Sequence, residues 1–104
     1  MAGFDADKLD EVIHGKLRLA VMAYLASVVG ATFAELKART GASDGNLSVH
    51  LRKLEEAGYV AIDKRFVGRK PQTRASLTEA GRRAWIFYLD QLRALVESGP
   101  PVTE

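Results

Sequence analysis

Between Thr32 and Leu77 the spacing of apolar residues switches from a helical period to a period of two, and glycine or proline punctuates the breaks. Few small folds accommodate that order. Thr32 is placed to cap a helix opening with Phe33-Ala34-Glu35-Leu36, with Glu35 at the third position of a capping box, and Gly41 stops it. Ser43 opens the next helix, which runs through about Ala57 to Gly58, where a left-handed C-terminal residue is needed. Two short helices joined through Gly41-Ala42 form a helix-turn-helix candidate. Tyr59-Val60-Ala61-Ile62-Asp63 then alternates, Gly68 and Pro71 punctuate a basic stretch, and Arg74-Ala75-Ser76-Leu77 alternates again. This predicts a hairpin with a charged tip.

The flanks read as helices. Leu9, Val12, Ile13, Leu17, Ala20, Val21, Tyr24, Leu25 and Val28 recur at helical spacing, which predicts a long first helix from Leu9 to Val29, ended by Gly30, with Ala31-Thr32-Phe33 short and semi-extended. Thr78 caps a last helix running through Trp85, Tyr88, Leu89, Leu92 and Val96 until Gly99-Pro100-Pro101. The expected class is mainly α with a small β-hairpin (α+β), in the order helix, short strand, helix, helix, strand, strand, helix. The 104 residues suit one domain over 9–97, with an extension at 1–8 and a loose tail at 98–104.

Several functions are disfavoured at once. There is no cysteine, and two histidines cannot close a four-ligand zinc site, so no metal or other cofactor is expected. Ser43, Ser48 and Ser76 have no assembled nucleophile partners, and no enzyme is expected. His14 and His50 read as satisfied structural residues. The N-terminus carries Asp5 and Asp7 ahead of its first lysine, unlike a secretory signal, and the uncharged run from Leu19 to Ala34 is too short to span a membrane. A cytoplasmic protein without a membrane partner is expected.

Charge is divided unevenly. Residues 37–83 carry eleven Lys/Arg and five Asp/Glu, whereas residues 1–36 carry three and five and residues 84–104 carry one and three. A basic middle between acidic flanks points to a polyanion-binding face. On a helix over 43–57, Leu47, His50, Leu51, Leu54 and Ala57 share one arc, and Gly45, Asn46, Val49, Arg52, Lys53 and Glu56 lie opposite, with Ser48 on the border. Arginine pairs bidentately with guanine and asparagine with adenine, which makes Arg52 and Asn46 candidate base readers, and Lys53 suits a phosphate. Val49 either meets a thymine methyl or is an accidental surface valine. Lys64, Arg65, Arg69, Lys70 and Arg74 of the hairpin suit a phosphate backbone or a minor groove, the bland alternative being a turn kept soluble by charge.

The run Asn46-Leu47-Ser48-Val49-His50-Leu51-Arg52-Lys53-Leu54-Glu55-Glu56-Ala57-Gly58-Tyr59-Val60, with Leu77-Thr78-Glu79-Ala80-Gly81-Arg82 after the basic hairpin, resembles winged helix-turn-helix regulators related to the MarR and ArsR families. The segment from Ile13-His14 to Arg18-Leu19 looks like the opening of the same proteins. The resemblance implies that helix 43–57, with Ser43, Asn46, Ser48, Val49, Arg52 and Lys53, enters the major groove of double-stranded DNA, that the hairpin is the wing, and that the outer helices form a homodimer. The chain departs from metal-sensing ArsR members in lacking cysteine and from full-length MarR proteins in lacking room for an extended dimerisation and ligand region; no effector is assigned. The consecutive residues Trp85-Ile86-Phe87-Tyr88-Leu89 cannot all face one helix stripe, so Leu9, Val12, Ile13, Trp85, Phe87, Tyr88, Leu92, Leu95 and Val96 are the expected dimer surface, unless the first helix covers the band within one chain. The competing function is a winged-helix protein-interaction module without DNA affinity.

Overall fold

The computed structural model describes residues 9–98, which form α1 (Lys16–Ala26), β1 (Ala31–Thr32), α2 (Phe33–Thr40), α3 (Asp44–Glu56), β2 (Val60–Val67), β3 (Lys70–Leu77) and α4 (Glu79–Ser98). The expected extension at 1–8 and the tail beyond Ser98 lie outside the described residues. Ser98, expected in the tail, is the last residue of α4.

Local chemistry sets the boundaries. The capping box at Thr32 and Glu35 closes in both directions: the Thr32 amide donates to the Glu35 carboxylate at 2.8 Å and the Glu35 amide to the Thr32 hydroxyl at 3.0 Å. Those bonds hold the Glu35 carboxyl below its ordinary pKa. Gly41 ends α2 at φ +72°, a left-handed geometry that costs a glycine little. The Ser43 hydroxyl caps α3 by accepting from the Asn46 amide.

The first helix is shorter than its periodicity predicts, beginning at Lys16 and ending at Ala26. Asp10 is the reason at one end. Its carboxylate accepts from the amides of Val12 and Ile13, closing a turn that competes with helix, and Gly15 is extended at φ −158°. At the other end the Ser27 hydroxyl folds back onto the Tyr24 carbonyl. Helical spacing persisted through residues 9–15 because the turn still directs Ile13 into the core.

The hairpin differs in the other direction. Its strands extend to a two-residue loop, Gly68-Arg69, with Val67 opposite Lys70 and Gly68 at φ +65° as tight hairpin loops require. The basic stretch expected at the tip is therefore mostly strand. The sheet order is β1-β3-β2, all antiparallel, with Ala31 opposite Ala75 and Ile62 opposite Ala75.

Ile13, Val21, Met22, Leu25, Leu36, Leu47, Leu54, Val60 and Tyr88 form a closed core, each side chain contributing about 1.5–3 kcal/mol through burial. The base of the hairpin is locked to α4. Thr78 accepts from the Gly81 amide and donates to the Gly58 carbonyl, and its own amide donates to the Tyr59 carbonyl. Gly81 packs so closely that a Cβ there would collide with the Tyr59 carbonyl oxygen.

Candidate nucleic-acid interface

Helix α3 presents one face to the core and the other to solvent. Leu47, Leu51 and Leu54 are buried, while Asn46, Ser48, Val49, Arg52 and Lys53 are exposed. All the expected contact residues of α3 are thus accessible, and Ser43 sits at its N-terminus with its hydroxyl engaged in the cap. Val49 is 52% exposed at the centre of the arc. Around the helix, Ser48 and Arg52 lean toward the hairpin and share a concavity of about 190 Å³ with Lys64, Thr73 and Glu55. Asn46 lies on the other side of the arc, beside Lys16, Arg39 and Thr40.

The hairpin cations divide between two faces. Lys64 turns toward α3, with Thr73 opposite it in register. Arg65 and Arg74 lie with Asp63 on the reverse face, where the Arg65 guanidinium pairs with the Asp63 carboxylate. Arg74 is half-buried at the centre of the sheet, opposite both Thr32 and Asp63, away from the tip. Arg69 in the loop and Lys70 beside it are exposed. The five cations expected to act together therefore do not share one surface.

The two histidines are held by hydrogen bonds. His14 Nδ1 lies 2.8 Å from the Tyr88 hydroxyl, and His50 Nδ1 lies 2.8 Å from Arg18 Nη1. Because guanidinium only donates, His50 Nδ1 accepts, which requires the neutral ring. Burial, then the charges of Arg18 and Lys53, push its pKa below the ordinary 6.5. Arg18 also donates to the carbonyls of Val12 and Glu11, and the Tyr59 hydroxyl donates to Asp10, which raises the Tyr59 pKa to about 12. Residues 10–18 thus clamp α3 and the hairpin base from behind. Sequence reasoning missed this brace; Asp10 ahead of Val12-Ile13 was its one local signal.

The expected dimer surface is partly consumed by the fold. Ile13 and Tyr88 are fully buried, so neither can supply an intermolecular contact, and Leu9, Val12, Trp85 and Leu92 pack against the core with part of each surface left open. Leu95 is half-buried, and Val96 is exposed. Ile86 and Leu89, outside the expected set, are exposed, as is Phe87. Phe87 lies about 160° around α4 from Leu89. The apolar band is therefore split between two sides of the helix. Among the described residues no group of His, Cys, Asp and Glu is placed to hold a metal.

Comparison with known proteins bears on this geometry. Residues 17–96 match the family described as winged helix DNA-binding domain. An uncharacterized protein of Methanocaldococcus jannaschii is 31% identical over 85 residues, covering 82% of this chain and 92% of that one. A transcriptional regulator homologue of Pyrococcus horikoshii superposes with a TM-score of 0.80 at 26% identity, covering 86% of this chain and 88% of its own. A MarR-family structure from Enterococcus faecalis gives a TM-score of 0.70 at 24% identity, over 90% of this chain and 92% of its own, and shares the fold.

Proposed function

We propose, from the fact that this chain belongs to the winged helix DNA-binding domain family, how its surface meets a duplex. The protein is a DNA-binding transcriptional regulator of winged-helix fold, in a family and fold that are not those of enzymes. In the proposed arrangement α3 lies in the major groove, with Asn46, Val49 and Arg52 toward base edges and Ser43, Ser48 and Lys53 toward the flanking backbone. The wing lies over the adjoining strand. Lys64, Arg69 and Lys70 are its working cations, and Arg65 and Arg74 serve the sheet.

The observation that carries this reading is the solvent-facing arc of α3: an exposed valine flanked by asparagine, arginine and lysine, on a helix whose opposite face is sealed into the core. A thymine methyl is a partner that such a valine finds in a groove and not in water.

The proposed assembly is a homodimer. Trp85, Leu89, Leu92 and Val96 fall at spacings of four, three and four along α4, a seam on which two helices can pair. Two-fold pairing would set two α3 helices about 34 Å apart and favour a roughly palindromic operator. A cytoplasmic location goes with a duplex target. No helix among the described residues is long and apolar enough to cross a membrane.

Titration of a duplex of mixed sequence across salt concentrations tests the DNA reading. Log affinity should fall against log salt by about 0.9 for each phosphate neutralised. A flat response, or no binding at low salt, contradicts it.

A further inference from the structure

The wing carries two apolar side chains left largely open to solvent. Phe66 is 74% exposed and Val67 55% exposed, beside the loop Gly68-Arg69, and Phe66 stands opposite Pro71 across the hairpin. Lys64 lies on the same strand face as Phe66, Lys70 pairs with Val67 across the hairpin, and Arg69 stands in the loop beyond them. An exposed ring among cations fits a polyanion that also offers apolar surface, as the sugars and base faces of a duplex do. Two side chains are too small an area for a stable protein interface.

Strand alternation places Phe66 on the face of Lys64 and Thr73, the one that turns toward α3. Ile62 shares a wall with Arg52 of α3, and Phe66 is four residues farther out, about 13 Å at roughly 3.3 Å per residue. A major groove and the next minor groove are separated by about half a helical turn, ~17 Å. With α3 in the major groove, Lys64 comes over the intervening phosphates, and Phe66 and Arg69 arrive at the minor groove.

We propose that Phe66 is a minor-groove wedge: its ring packs on deoxyribose and opens a pyrimidine–purine step, the most easily unstacked kind, while Arg69 and Lys70 hold the flanking phosphates. This rests on the DNA-binding reading above. It adds a specificity determinant at base pairs that α3 does not touch, because a stiff A-tract at that step resists opening and a TA step yields.

The test uses the full chain and a duplex that it selects itself from a randomised pool, with 2-aminopurine placed in turn at each pyrimidine–purine step flanking the α3 site. Binding should raise the fluorescence at one step per bound chain. Phe66→Thr, which keeps a residue suited to a strand, should lose that rise and bind about tenfold more weakly, with the salt slope unchanged because the cations remain. Unaltered affinity of Phe66→Thr, or no fluorescence rise with the wild-type chain, overturns the wedge. If the salt slope of the variant falls as well, the hairpin has been lost, and the wild-type fluorescence decides alone. A chain that selects no duplex removes the DNA-binding reading itself, and the wedge with it.

Discussion

Helix α3 and the wing offer the same charged residue types to solvent on different supports. Leu47, Leu51 and Leu54 anchor α3 in the core, and Arg18 braces it from behind through His50, so its outer side chains project from a fixed base. The outer half of the wing is held by its own ladder of strand bonds and the Arg65–Asp63 pair, and closes in a two-residue loop. A rigid support suits the reading of base edges, where a small displacement loses a bidentate pair; a compliant one suits phosphates, which look alike along the strand.

The largest effect is expected at Gly81 of α4, which packs on Tyr59 in the link between the two regions. Alanine would gain about 1 kcal/mol in helix propensity but must displace backbone at Tyr59, and Gly81→Ala should lose about 3 kcal/mol net in chemical denaturation. A variant as stable as the wild type would show that α4 and the hairpin base are not tightly joined.

Next is the proposed pairing between chains, which would double both regions without altering either. Leu89 is 39% exposed, so Leu89→Glu should leave the fold intact and weaken association by about 2 kcal/mol per chain, read by sedimentation equilibrium. A wild-type monomer at micromolar concentration would sink the seam on α4.

The smallest effect falls on α3 alone. With its pKa lowered in the folded chain, His50 takes up a proton more readily when unfolded. The stability it contributes is present above about pH 6.5 and is lost as pH falls from there through the lower folded value. His50→Gln should flatten that part of the pH–stability curve. An unchanged curve would mean that neither burial nor the charge of Arg18 lowers the His50 pKa in the folded chain.

How much of this could be read from the sequence depended on whether neighbours or distant parts set the structure. Thr32 with Glu35, Ser43, Gly41 and Gly58 announce the ends of α2 and α3 because caps act within one turn. The outer arc of α3 was equally legible, since helical periodicity alone separates Val49 from Leu51. Residues 9–15 misled because a turn closed by Asp10 keeps the spacing of a helix without being one. The wing misled because Lys64 and Phe66 continue the alternation of Val60 and Ile62 with a cation in place of one apolar residue. Which wing cations are committed elsewhere was not legible: Asp63 pairs with Arg65 two positions along the strand, and Arg74 meets Thr32 only through the sheet. Tyr88 looked like surface because a run of aromatics does not say which member the core will take.

The division of labour between α3 and the wing is tested most directly by measuring Arg52→Ala and Arg69→Ala on two duplexes, one selected by the chain and one unrelated, at one salt concentration. Arg52→Ala should cut the ratio of the two affinities by about 2 kcal/mol, whereas Arg69→Ala should weaken both duplexes alike and leave the ratio standing. Equal losses on both duplexes for Arg52→Ala would contradict the account and remove α3 from the reading of sequence.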